Sequence, residues 1–255
     1  MPFEASNQEN LRGTVAVVID VLRATTTITH ALAAGATRVI PCLEPEEAIN
    51  TRDTLQTQQP DQSVLLGGER GGVLIKGFDL GNSPKDYTPE RVSGKTLIFS
   101  TTNGTRAMFR LLNADIIYLA CFNNADAVAK CLLEFTKITI LCAGTDRRYT
   151  EEDMLLAGML TERLMRQSFG SYSLNTYAVA AKERWDTSFP IAKRIGNEPI
   201  HPENLAQILR QSRGGKNLMQ LDLGKDILAA SQINLFDLVP QMNHGQKEIR
   251  KRPRP

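Results

Sequence analysis

Short β-branched runs alternate with segments whose apolar residues recur at helical spacing, from the start of the chain to about Cys142. That alternation implies parallel strands joined by crossover helices. Strands are expected at Thr14–Ile19, Arg38–Pro41, Ser63–Gly67, Thr96–Ser100, Ile116–Ala120 and Ile138–Cys142. Helices are expected between them, at about Ala24–Ala34, Pro45–Gln56, Gly104–Asn113 and Asn124–Phe135. From Glu151 the pattern turns mostly helical, over about Glu151–Gln167, Leu174–Arg184, Pro202–Gln211 and Lys225–Ser231. Further strands fit around Tyr172–Tyr177 or Leu218–Leu223. The fold class that follows is α/β: a three-layer α/β/α arrangement with a mostly parallel sheet and a helix-rich C-terminal part that helps to cover it.

The first three expected strands match the next three weakly, which suggests two related βαβαβ halves over about residues 14–72 and 95–147. Ala16–Cys42 lies over Thr96–Cys121, with Asp20 opposite Ser100 and Cys42 opposite Cys121. VLLGGERG at Val64–Gly71 lies over TILCAGTD at Thr139–Asp146.

A chain of 255 residues suffices for one large α/β domain, expected over residues 1–241. It contains no apolar run of about 18 residues, so no membrane helix is expected. The polar start, Met1 to Arg12, lacks the basic end and apolar stretch of a secretion signal. Cys42, Cys121, Cys131 and Cys142 sit in apolar surroundings, which suits buried thiols in a reducing cytoplasm. The formal charge of +2 is carried by the end of the chain, where Lys247–Pro255 holds five basic residues against Glu248. The body is therefore near neutral, without the basic face of a nucleic-acid binder. Residues 242–255 read as a basic, disordered tail. Nothing in the composition speaks against a homo-oligomer.

In open parallel sheets ligands bind beyond the carboxyl ends of the strands, and these ends are where the chemistry collects. The first strand is followed by Asp20, Arg23, Thr25 and Thr26, and the third by Gly68-Glu69-Arg70. Thr101, Asn103, Gly104, Thr105 and Arg106 follow the fourth, and Gly144 and Asp146 the sixth. Threonines and glycines opening a helix offer backbone N–H groups to an anion, and Arg23 and Arg106 add guanidinium contacts. Asp20, Glu69 and Asp146 would repel that anion unless a cation lay between, and carboxylates beside phosphate are how Mg²⁺ is usually held. The long loop Gly68–Gly94 reads as an ordered lid or binding loop, with Asn82 and Ser83 placed to hydrogen-bond a substrate and Lys76 to add charge. Glu151-Glu152-Asp153 opens a helix beside the same strand ends. Acids there stabilise the helix dipole, and Glu152 is also a metal-ligand candidate.

These residues resemble the 2-phosphosulfolactate phosphatase family. The matching motifs are DVLRATTTI (Asp20–Ile28), GERGG (Gly68–Gly72), GFDLGNSP (Gly77–Pro84), TTNGT (Thr101–Thr105), CAG (Cys142–Gly144) and EED (Glu151–Asp153), in that order, with a similar stretch ending Leu238-Val239-Pro240. The resemblance implies Mg²⁺-dependent hydrolysis of 2-phospho-3-sulfolactate, or a related small phosphoacid, to sulfolactate and phosphate, a step towards coenzyme M. It implies that Asp20, Glu69 and Asp146 act at the metal. It also implies that Arg23, Thr25, Thr26, Asn103, Thr105 and Arg106 face phosphate or sulfonate.

Three alternatives remain at this point, one of them an isomerase or phosphotransferase on the same scaffold, because fold and metal do not fix the reaction. Cys142 and Arg148 satisfy the C-x5-R spacing of cysteine phosphatases, in which a thiolate attacks the phosphate. A binding protein that only captures a small anion would need the Thr, Asn and Arg residues but not the converging acids. A haloacid-type phosphatase is disfavoured, because its second acid is replaced by Leu22. His30, His201 and His244 lack zinc-ligand spacing.

Overall fold

The computed structural model describes residues 11–145, 148–169, 171–190, 200–243 and 245–253. The first strand, β1 (Val15–Ile19), is buried along its whole length, as a strand covered on both faces must be. Val15, Val17 and Ile19 enter one apolar cluster and Ala16 and Val18 another, the period-two split of a pleated strand. Then follow α1 (Ala24–Ala33), β2 (Arg38–Cys42), α2 (Pro45–Gln58), β3 (Val64–Arg70), a two-residue β4 (Val73–Leu74) and a short α3 (Pro89–Val92). The alternation returns with β5 (Thr96–Ser100), α4 (Gly104–Arg110), β6 (Ile116–Ala120), α5 (Ala125–Leu132) and β7 (Ile138–Cys142). The remainder is α6 (Glu151–Gln167), α7 (Thr176–Ser188), α8 (Pro202–Gln211), α9 (Arg213–Gln220), α10 (Gly224–Ala230) and a hairpin of β8 (Pro240–Asn243) and β9 (Glu248–Lys251).

These strands make one sheet in the order β4-β3-β5-β2-β9-β8-β6-β1-β7. β3, β5 and β2 are parallel to one another, as are β6, β1 and β7. The β8–β9 hairpin joins the two sets and is antiparallel to both. The fold is α/β as expected, but the sheet is mixed rather than mostly parallel, and its two parallel halves run in opposite senses. Each run of three strands lends its first member to the other half: β1 lies between β6 and β7, and β5 between β2 and β3. The registers repeat as well. Thr96 pairs with Arg38 and Val64 as Val15 pairs with Ile116 and Ile138. By this ladder Asp20 corresponds to Thr101, one residue on from the partner suggested by the sequence match.

Helices α5, α6, α7, α8 and α10 pack on one face of the sheet around Trp185, and α1 and α4 pack on the other. α2 covers the outer half through Ala48 against Leu66 and Ile98. No helix among the described residues is long and apolar enough to cross a membrane.

Two expectations need correction. The stretch after Gln241, read as a free tail from its charge, supplies β9 to the middle of the sheet. Its charges are met locally: buried Glu248 accepts from Arg38 at 3.0 Å and Arg250 at 2.6 Å. Arg252 donates to Glu134 and lies over the Tyr118 ring. His244 and the last two residues fall outside the described residues. The extra strands suggested at Tyr172–Tyr177 and Leu218–Leu223 do not form, because helix caps claim these segments. Asn175 accepts from the Ala178 N–H at 2.9 Å to open α7, and Ser212 from the Gly215 N–H at 3.0 Å to open α9. Short apolar runs do not by themselves separate the two choices.

Candidate active site

At the end of β1 the chain turns into α1 through a knot of local bonds. Asp20 Oδ1 accepts from the Ala24 N–H at 3.2 Å. Thr25 Oγ1 donates to the Asp20 carbonyl at 2.8 Å and accepts from the Asp20 N–H at 3.1 Å. The end of β5 is tied in the same way: Thr105 Oγ1 donates to the Thr101 carbonyl at 2.5 Å and accepts from the Thr101 N–H at 3.2 Å. The two knots touch at Gly104. A Cβ there would stand 2.7 Å from Asp20 Oδ2 and closer still to Ala24, so the approach of α4 to Asp20 requires glycine.

A second motif also recurs in both halves. Glu69, at the end of β3, accepts from the Thr102 N–H at 2.8 Å with Oε1 and from the Gly72 N–H at 2.7 Å with Oε2. Asp153, on the first turn of α6, accepts from the Val21 N–H at 2.9 Å with Oδ1 and from the Gly144 N–H at 2.9 Å with Oδ2. Thr102 and Val21 are equivalent in the sheet ladder. Each half therefore has one carboxylate that clamps the second residue after its inserted strand to the neighbouring strand's loop. The sequence offered Asp153 only as part of an acidic run at a helix start, and its clamp depends on a partner 132 positions away.

Arg23 is buried. Its Nη1 donates to Asp226 at 2.7 Å and its Nη2 to the Gly72 carbonyl at 2.7 Å. Asp226, on α10, also accepts from Ser83 Oγ at 2.6 Å. This buried aspartate joins three segments of the site. Its only signal in the sequence is an acid set against the apolar Ile227 and Leu228. Thr25 and Thr26 are fully buried, with hydroxyls donated to the backbone of Asp20 and Val21. Thr27 Oγ1 donates to the Asn82 carbonyl at 2.9 Å. The loop before Pro84 is an ordered strap, as expected: Asp79 accepts from the Leu66 N–H, Tyr87 donates to the Gly81 carbonyl and Ser83 reaches Asp226. Lys76 is exposed. Thr102 and Asn103 are half-buried, and Arg106 is exposed at the rim. Asp146 lies outside the described residues.

The electrostatics set Asp20 apart. Its pKa is pushed up to about 7 by burial first, with Glu69 and Glu152 adding to the rise and the Ala24 N–H and Arg23 opposing it. Burial also raises Glu152, and it raises Asp153 well above the carboxylate range with help from Glu152 and Asp20. Glu152 packs so closely on Gly214 that no Cβ fits there. Its Oε2, like Asn82 Oδ1, is buried without a hydrogen-bond partner among the described residues.

Crowded, desolvated acids with an orphaned oxygen are under-neutralised, and a cation would relieve them. Among the described residues no three His, Cys, Asp or Glu side chains converge closely enough to hold a metal alone. Mg²⁺ is commonly held by one or two carboxylates, with water and phosphate oxygens completing its shell, and Asp20 with Glu152 fits that pattern. Cys142 does not fit the thiolate alternative. It is buried on β7, and burial, then Asp153, push its thiol up to about 12, so it is not ionised near neutral pH.

The fold and site define an α/β protein with a buried cluster of desolvated acids beside the ends of two inserted strands. Residues 2–245 match the profile of the 2-phosphosulpholactate phosphatase family. A protein of Symbiobacterium thermophilum described as a probable 2-phosphosulfolactate phosphatase is 41% identical, over 93% of this chain and 95% of its own. Proteins with the same description from Caldanaerobacter subterraneus and Thermotoga petrophila are 37% and 39% identical, over 95% and 90% of this chain and 93% and 89% of their own. The chain belongs to the 2-phosphosulfolactate phosphatase family.

Proposed function

We propose that this protein is a Mg²⁺-dependent phosphatase that hydrolyses 2-phospho-3-sulfolactate to sulfolactate and phosphate. The observation that carries the reading is the under-neutralised acid cluster around Asp20 and Glu152, set beside the end of β5 in a member of this family. Asp20 and Glu152 would hold the ion, with Asp146 as the third acid the sequence nominates. The ion would offset the phosphate's charge and let it approach these acids. Glu69 and Asp153, with both oxygens engaged by backbone N–H groups, keep the two strand-end loops in place. Thr101, Thr102, Asn103 and Thr105 form the wall against which the phosphoester lies, and Asn82 closes the site from the strap. In the reaction water adds to phosphorus, the ester P–O bond breaks, and the leaving alkoxide takes up a proton.

The free thiols of Cys42, Cys121, Cys131 and Cys142 support a reducing, cytoplasmic setting. In an organism that makes coenzyme M the reaction would be a step towards it. The test is phosphate release from 2-phosphosulfolactate with Mg²⁺, with EDTA, and with EDTA followed by excess Mg²⁺. Release that EDTA stops and Mg²⁺ restores is expected. Release indifferent to EDTA would overturn the metal assignment, and no release under any condition would overturn the substrate.

A further inference from the structure

Two arginines stand on the rim of the site around a single carboxylate. Arg70 closes β3, and protein groups fix its guanidinium: Nη1 donates to the Glu69 carbonyl at 2.8 Å, and Nη2 to the Leu43 carbonyl at 2.7 Å and Ser100 Oγ at 3.0 Å. Arg106 lies on the first turn of α4, two residues beyond Gly104, with 56% of its side chain exposed. Both approach Glu44 at 3.7 Å, Arg70 at Oε2 and Arg106 at Oε1. That separation is too long for a hydrogen bond. Glu44 is itself 59% exposed, so these pairs contribute little to stability. The ends of β2, β3 and β5 meet here, next to the loop that Glu69 clamps.

Arg23 offers a contrast. Its terminal nitrogens are both engaged, one by buried Asp226, and turning it towards a ligand would strand a buried charge. Arg106 can move at little cost, because its closest ion pair among the described residues is the loose one to Glu44. A carboxylate resting between two guanidinium groups occupies the place that an acid group of a ligand would take.

We propose that Arg106, backed by Arg70, receives the second acidic group of the substrate, the sulfonate or carboxylate remote from the phosphoester, and that Glu44 holds this place until substrate arrives. The inference rests on the phosphatase reading and locates the part of the substrate that does not react. Sulfonate and carboxylate oxygens both form charge-assisted bonds to a guanidinium, at the rim and away from the acids around Asp20. Glu44, at the start of α2 and open to solvent, can swing outward as the ligand enters.

The test uses Arg106→Gln and Glu44→Gln, both at exposed positions, with thermal melts to verify folding. kcat/KM is measured for 2-phosphosulfolactate, 2-phospholactate and phenyl phosphate, the last lacking a second acid. Arg106→Gln should lower the preference for 2-phosphosulfolactate over phenyl phosphate by roughly tenfold or more, the scale of a lost bond between charged groups. Glu44→Gln should raise that preference. If the carboxylate is the group held, 2-phospholactate suffers with phosphosulfolactate; if the sulfonate is, it does not. Calorimetric binding of sulfolactate, which contains no phosphate, should weaken in Arg106→Gln and tighten in Glu44→Gln whether or not the protein releases phosphate. Unchanged preference in both variants, or sulfolactate affinity indifferent to both, would overturn the proposal without touching the phosphatase reading.

Discussion

Asp20 is the residue on which the most interactions converge: a helix start, a glycine, an arginine and two other acids surround it. Asp20→Asn keeps the bond to the Ala24 N–H but removes the charge. It should lower Mg²⁺-dependent turnover by more than about a hundredfold, the scale of losing one preorganised electrostatic contact, while leaving the circular dichroism spectrum unchanged. Full activity would remove Asp20 from the site. Gly104→Ala presses a methyl group onto the same carboxylate and should cost about 1–3 kcal/mol of stability, read from urea unfolding, together with a fall in kcat. Cys142→Ser should leave kcat close to wild type and cost about 1–3 kcal/mol for burying a hydroxyl; abolished turnover in a folded protein would revive the thiolate mechanism. Asp20, Glu69 and Glu152 could be nominated from sequence because strand ends gather chemistry. Asp153 and Asp226 could not, since their meaning lies in Val21, Gly144, Arg23 and Ser83, contacts that only the assembled chain creates.

At the scale of elements, six of the seven strands described through Cys142 were legible because each is an apolar run bounded by turn or cap residues; the two-residue, exposed β4 was not. The hairpin was not. In β8 and β9 only Pro240, Met242, Glu248 and Ile249 are buried, and the neighbouring Arg250 and Lys251 look like solvated charge. What makes β9 a strand is the gap between β2 and β6 and the Arg38–Glu248 pair waiting there. Glu248→Gln should therefore destabilise the protein by about 2 kcal/mol, below the usual cost of breaking a fully buried pair because Arg38 keeps some solvent contact. Denaturant midpoints would measure this. A midpoint equal to wild type would mean that the Arg38–Glu248 pair carries no weight. The weak sequence repeat was visible, but its correct register was not, because loops of unequal length separate the strands while the ladder restores equivalence.

For the molecule as a whole, the acid cluster ties stability to pH. Folded Asp20 keeps its proton up to about pH 7, whereas its ordinary value is 3.8. Between those values the folded state binds more protons than the unfolded one, so stability falls as pH rises through this window. Glu152 and Asp153, raised by burial, act in the same direction. A cation that needs these groups ionised acts in the opposite direction. In EDTA the melting temperature should be lower at about pH 8 than at about pH 5, and Mg²⁺ should raise it clearly at the higher pH and little at the lower. Equal Mg²⁺ shifts at both pH values would place the ion elsewhere.

The hairpin in the middle of the sheet also bears on how the protein is made. A nascent chain leaves the ribosome at about 5–20 residues per second. Roughly 5–20 seconds therefore pass between completion of β7 and of β9. Throughout that interval β2 and β6 are open edges, each able to pair with a neighbouring chain. The hairpin synthesised last closes both, β8 on β6 and β9 on β2, so nascent chains should depend on chaperones until translation has passed β9.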